Sequence, residues 1–130
     1  MVKELESPII DRMSIMDSVK KFVNISPDDT SFDPDILICI NSIFAGMTQM
    51  GIGPKEGIIV IDSTSRWDEY FDERYIGMVT NYVGSKTRMM FDPPASSAII
   101  EAIRETIKET EFRLFIAVDN NELLSPNKEA

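Results

Sequence analysis

The chain has 130 residues, 43% of them apolar, which suffices for one hydrophobic core and leaves too little for a second domain beside it. Thirteen basic against twenty-two acidic side chains give a formal charge of -9, and no run of cations is longer than Lys20-Lys21, which argues against a surface that grips nucleic acid by its phosphates. The absence of histidine removes the commonest general base and every Ser-His or Cys-His pair; with one thiol, Cys39, neither an intramolecular disulfide nor a structural zinc site can be assembled.

No catalytic, cofactor-binding or metal-ligating residues are therefore expected. Asp28, Asp29, Asp33 and Asp35 lack the glycine and the closing glutamate of a calcium loop, and read as a solvated loop with helix caps. Gly51-Ile52-Gly53-Pro54-Lys55-Glu56-Gly57 matches neither phosphate-loop nor dinucleotide spacing, and reads as a helix stop followed by a turn. Cys39, set among Ile36, Leu37, Ile38 and Ile40, reads as a small apolar residue. The eight methionines suit either core gaps or surfaces that adapt to a partner. The longest apolar stretches fall short of a membrane span, and Met1-Val2-Lys3-Glu4 does not open a signal peptide, so the expected location is intracellular.

In chain order, Ser14 caps a first helix over Ser14 to Asn24, with Asp17 at the capping-box position and an apolar stripe of Ile15, Val19, Phe22 and Val23. Asp33 as N-cap and Pro34 at the first helical position start a second helix, in which Ile36, Ile40, Ile43, Phe44, Met47 and Met50 recur at helical spacing until Gly51 and Gly53 stop it. Its apolar surface is broader than one stripe, which marks a central helix. Ile58-Ile59-Val60-Ile61 is short and β-branched between breakers, and reads as a strand or extended arm paired with Ser63 to Trp67 or with another subunit.

Phe71, Tyr75, Met78, Val79, Tyr82 and Val83 continue a helical period to about Met90, interrupted by Gly77 and Gly84, each costing roughly 1 kcal/mol relative to alanine unless another helix approaches there. After Phe91-Asp92-Pro93-Pro94 a last helix starts either from Asp92 or near Ser96. Ile99, Ile103 and Ile107 form its seam, which Phe112, Leu114 and Phe115 extend, and Glu101, Glu105 and Glu109 form a charged face. The expected core residues are Ile40, Phe44, Met47, Tyr75, Val79, Ile103 and Ile107. Past Val118 the period is lost and Leu123 and Leu124 have no evident intramolecular use, so the segment from Asp119 to Ala130 reads as a tail that can order on a partner. Candidate assembly contacts are Ile58, Ile59, Val60, Ile61, Leu123 and Leu124.

Ile40-Asn41-Ser42-Ile43-Phe44, Gly51-Ile52-Gly53-Pro54 with Gly57, and Arg88-Met89-Met90-Phe91-Asp92-Pro93-Pro94 followed by serines and Ile103 carry a resemblance. Over about residues 14 to 117 the chain resembles the head-tail connector proteins of tailed bacteriophages, in particular the adaptors that dock on the portal. The resemblance implies a mainly α fold: a small bundle of about four helices with a short extended or β segment, in a single domain over 1–130 with flexible ends at about 1–12 and 119–130. It implies a structural ring subunit, not an enzyme, placed in the neck of the virion and in the cytoplasm of the infected bacterium before assembly. The implied partners are the portal protein, neighbouring copies in a dodecameric ring, a stopper or tail-completion protein, and genomic DNA passing without sequence-specific binding; no membrane and no cofactor are implied. The acidic balance suits a channel wall to which DNA must not adhere. A helical protein-binding regulator and a packaging-associated DNA-binding subunit are the alternatives.

Overall fold

The computed structural model describes residues 11–126, and four helices carry the fold: α1 (Ile15–Phe22), α2 (Asp33–Gln49), α3 (Ile76–Phe91) and α4 (Ser97–Asp119). Two 3-10 turns, Trp67–Glu69 and Glu73–Tyr75, lead into α3. The expected flexible ends fall partly on residues 1–10 and 127–130, outside the described residues.

Capping chemistry explains most of the boundaries. The Ser14 hydroxyl accepts the Asp17 N–H at 3.2 Å, and the Ser96 hydroxyl accepts that of Ile99 at 3.4 Å, so α4 starts from the serine and not from Asp92. Three helices then end in the same way. Asn24, Gly51 and Asn121 adopt positive φ of 59°, 80° and 56° just past α1, α2 and α4. The following N–H in each case returns to the helix: Ile25 donates to Lys20 O, Ile52 to Met47 O and Glu122 to Ala117 O, at 2.8 to 2.9 Å. These paired reverse bonds satisfy carbonyls that a helix end would leave open, and they turn the chain sharply back.

Helix α3 is central, in place of the expected α2: α1, α2 and α4 all pack against it. On α2, Ile36, Ile40, Ile43, Phe44 and Met47 are buried, together with Ile15 and Val19 from α1 and Val79, Tyr82 and Val83 from α3. Trp67 is fully buried, edge-on to Phe44 at 6.1 Å between centroids, and its indole N–H donates to Ser18 Oγ at 2.8 Å. Each such side chain contributes about 1.5 to 3 kcal/mol through removal from water. Gly84 has a packing reason: a Cβ there would stand 2.3 Å from the Phe22 ring, so α1 and α3 approach through the missing side chain.

The start of α2 differs from expectation. Asp33 lies inside the helix, Phe32 occupies the cap position without a side-chain bond, and the Asp33 carboxylate instead accepts from Lys20 Nζ at 2.9 Å. Lys20 is 1% exposed; its ammonium also donates to the carbonyls of Pro27 at 3.2 Å and Asp29 at 2.7 Å, so all three donors are used. A buried charge is tolerable only when satisfied in this way.

The expected bundle with a short extended or β segment is overturned: the fold is all-helical, with no strand among the described residues. Ile58 to Ile61 forms irregular backbone. The reason lies in Asn41 on α2, whose side-chain oxygen accepts the Val60 N–H at 2.8 Å while its amide donates to the Val60 carbonyl at 2.9 Å. One helix-borne amide thus supplies both bonds that a neighbouring strand would have given Val60. Ser65 to Trp67 does pair, but with Met13 to Ile15, through an isolated bridge between Ser14 and Arg66.

Candidate assembly surfaces

The surfaces that could hold a partner follow from how α4 is set on α3. The two helices run antiparallel, and two tyrosine hydroxyls fix the rotation of the hairpin: Tyr82 donates to Glu111 at 2.5 Å and Tyr75 donates to Glu122 at 2.6 Å. Burial, aided by the Glu111 carboxylate, pushes the Tyr82 phenol well above its ordinary range, so it remains a hydrogen-bond donor. The carboxylate of Glu122 raises the Tyr75 phenol in the same direction. Lys86 Nζ stands 5.1 Å over the Tyr82 ring, adding a cation–π contact beside this bond.

With the rotation set, Leu114, Ala117 and Thr110 face inward, and Ile103 and Ile107 are half-buried. Phe112, Phe115 and Ile116 do not extend that seam. They are 64%, 37% and 44% exposed, on the side of α4 turned away from α3, and their three- and four-residue spacings make one apolar ridge. Ile99 is also half exposed at the other end of the helix.

Of the other expected core residues, Ile40, Phe44, Met47 and Val79 are buried and Tyr75 is half-buried. Within the irregular segment, Ile58 and Val60 point into the core while Ile59 and Ile61 are 75% and 73% exposed. Leu123 is 1% exposed and Leu124 packs beside it, so the absence of an intramolecular use is corrected. The turn at Asn121 returns the chain to the molecule, where Asp72 N–H donates to Leu123 O at 2.8 Å and Ser125 N–H to Tyr70 O at 3.0 Å.

Between α1 and α3 lies a groove of about 510 Å³ lined by Arg12, Lys21, Phe22, Ile76, Gly77 and Thr80, with others. The acidic side chains around Asp29 form a local turn: Asp29 accepts from the N–H and hydroxyl of Ser31, which lower its pKa. Burial pushes the Cys39 thiol up, away from thiolate reactivity. No helix among the described residues is long and apolar enough to cross a membrane.

The family model of the phage connector proteins matches residues 15–121. The chain belongs to that family. The matched span runs from the first residue of α1 to the left-handed Asn121 behind α4, and so contains every helix of the connector fold described above. No curated protein and no solved structure matches the chain. Sequence reading missed the Lys20 tie, the Asn41 clamp and the outward setting of Phe112. The only signal for Asn41 is a polar residue inside the apolar run of α2; Lys20 is indistinguishable in sequence from its exposed neighbour Lys21.

Proposed function

We propose that this connector-family chain is the structural adaptor that forms a ring beneath the phage portal, extends the DNA channel and joins the head to the tail-completion proteins. The observation that carries the reading is the ridge of Phe112, Phe115 and Ile116 on a helix whose rotation is fixed by Tyr82 and Tyr75. Apolar surface held outward on a rigid element fits assembly with other protein. The charge of -9 on each copy supports a channel that passes DNA without retaining it. Its partners are the portal, other copies of itself and a stopper or tail-completion protein, and its place is the neck of the virion.

The test uses portal-bearing heads made without this protein. Purified wild-type chain added to them should bind, appear as a ring below the portal by electron microscopy, and restore the joining of tails. Heads that neither retain the protein nor gain tail-joining competence from it would refute the adaptor reading.

A further inference from the structure

We infer that the α1–α3 groove is the socket for the α4 ridge of a second copy of this chain, so that copies join head to tail through two different surfaces. The inference deepens the adaptor reading and rests on it for the ring.

Gly77 is the first support. It is the second residue of α3, exposed, where a Cβ would meet nothing within 4 Å, so unlike Gly84 it has no packing reason among the described residues. Gly46 of α2 is equally open but does not line the groove. Gly77 lines the groove, and there the missing side chain leaves room beside the Phe22 and Ile76 side chains for an incoming bulky one.

The ridge supplies that side chain and cannot serve its own socket. Phe112, Phe115 and Ile116 point away from α3, the helix that carries Gly77, because the opposite face of α4 is packed on α3 through Leu114 and the Tyr82–Glu111 bond. A second copy is then the nearest chemistry that fits, and charge favours it. Among the described residues, both charged side chains lining the groove are cations, Arg12 and Lys21, on a chain of net charge -9. Ile116 of the ridge lies in the last turn of α4, where Asp119 and the negative end of the helix dipole are found, and Phe112 and Phe115 stand in the turn before it. The cations near it are paired on the same helix, Lys108 with Glu105 at 3.9 Å and Arg113 with Glu109 at 2.9 Å. Two complementary surfaces on different faces make a heterologous contact, which closes into a ring when the rotation per copy divides a full turn.

Disulfide trapping tests the contact even where association is weak. In a Cys39→Ser background, Thr80→Cys places a thiol in the groove and Phe112→Cys one on the ridge. An equimolar mixture of the two single variants should yield cross-linked dimer about tenfold above either alone, an apparent difference of about 1.4 kcal/mol. The variant carrying both thiols should yield a ladder of multimers. Adding Gly77→Trp, which fills the groove at a position with free space, should abolish both products while circular dichroism stays unchanged. Equal cross-linking of either single variant with itself, a ladder that survives Gly77→Trp, or no ladder at all, as when residues 1–10 or another protein fill the groove, overturns the socket. Heads completed equally well by wild type and by Gly77→Trp would remove the socket and leave the adaptor reading standing; a ladder from a protein that never binds heads would do the reverse.

Discussion

Helices α2 and α4 are both rich in apolar residues, yet they relate to the molecule in opposite ways. The 17 residues of α2 bury Ile36, Ile40, Ile43, Phe44 and Met47, against α3 and the Trp67 ring. The 23 residues of α4 bury only Thr110, Leu114 and Ala117, and α3 is its main support. Apolar content alone therefore states that a helix needs company; whether the company belongs to the same chain depends on how polar contacts such as Tyr82–Glu111 set its rotation. In this connector the division is clear: the apolar residues of α2 serve the chain's own core, and most of α4 stays exposed.

The sharpest way to break that comparison is Phe44→Ala. Removing a fully buried ring from α2 should cost about 3 to 5 kcal/mol in urea unfolding; a loss under about 1 kcal/mol would mean that this face of α2 does not pack in the core. Leu123→Ala comes next, at about 3 kcal/mol, since this side chain is 1% exposed and closes the core behind α4. A variant as stable as wild type would show that the segment after Asn121 contributes nothing to folding. Gly84→Ala sets a helix-propensity gain of about 1 kcal/mol against overpacking on Phe22 of about 1 to 3 kcal/mol. The net expectation is a destabilisation of about 1 kcal/mol by thermal unfolding, whereas Gly77→Ala, with open space at Cβ, should stabilise. The smallest effect belongs to Phe112→Ala, expected within about 0.5 kcal/mol of wild type. Its measurable defect should instead be weaker retention on portal-bearing heads, and a large fall in monomer stability would place the ridge in the core after all.

What the sequence makes legible here is local. Ser14, the spacing from Ile36 to Met47 and the stop at Gly51 each act within a turn or two of their own position, and the helices they predict are present. The last helix is legible for the same reason, but its facing is not, because the three-residue offsets of Phe112 and Phe115 are compatible with either side until Tyr82 and Glu111 meet. The β-branched run at Ile58 has strand composition, and its fate is decided by Asn41, nineteen residues before Val60. Leu123 and Leu124 look unemployed because period analysis ends with the helix, while their burial depends on the left-handed turn at Asn121 and the carbonyl of Tyr70. The candidate surface inherits this limit. Ridge and groove are built from residues that sequence can name but cannot bring to the outside of one molecule.

The return of the chain from Asn121 also has a mechanical meaning. Asp72 and Ser125 tie the entry of α3 to the exit of α4 through backbone bonds to Leu123 and Tyr70, while the short turn after Phe91 joins the other ends of the two helices. The hairpin is therefore fastened at both ends, like a closed link. A pull on α4 would load the tie in parallel with the helix contact, so the helices would have to slide past one another before they could peel apart. For a part that joins a head to a tail, in the reading proposed above, such a clasp would keep the outward-facing ridge in register under load.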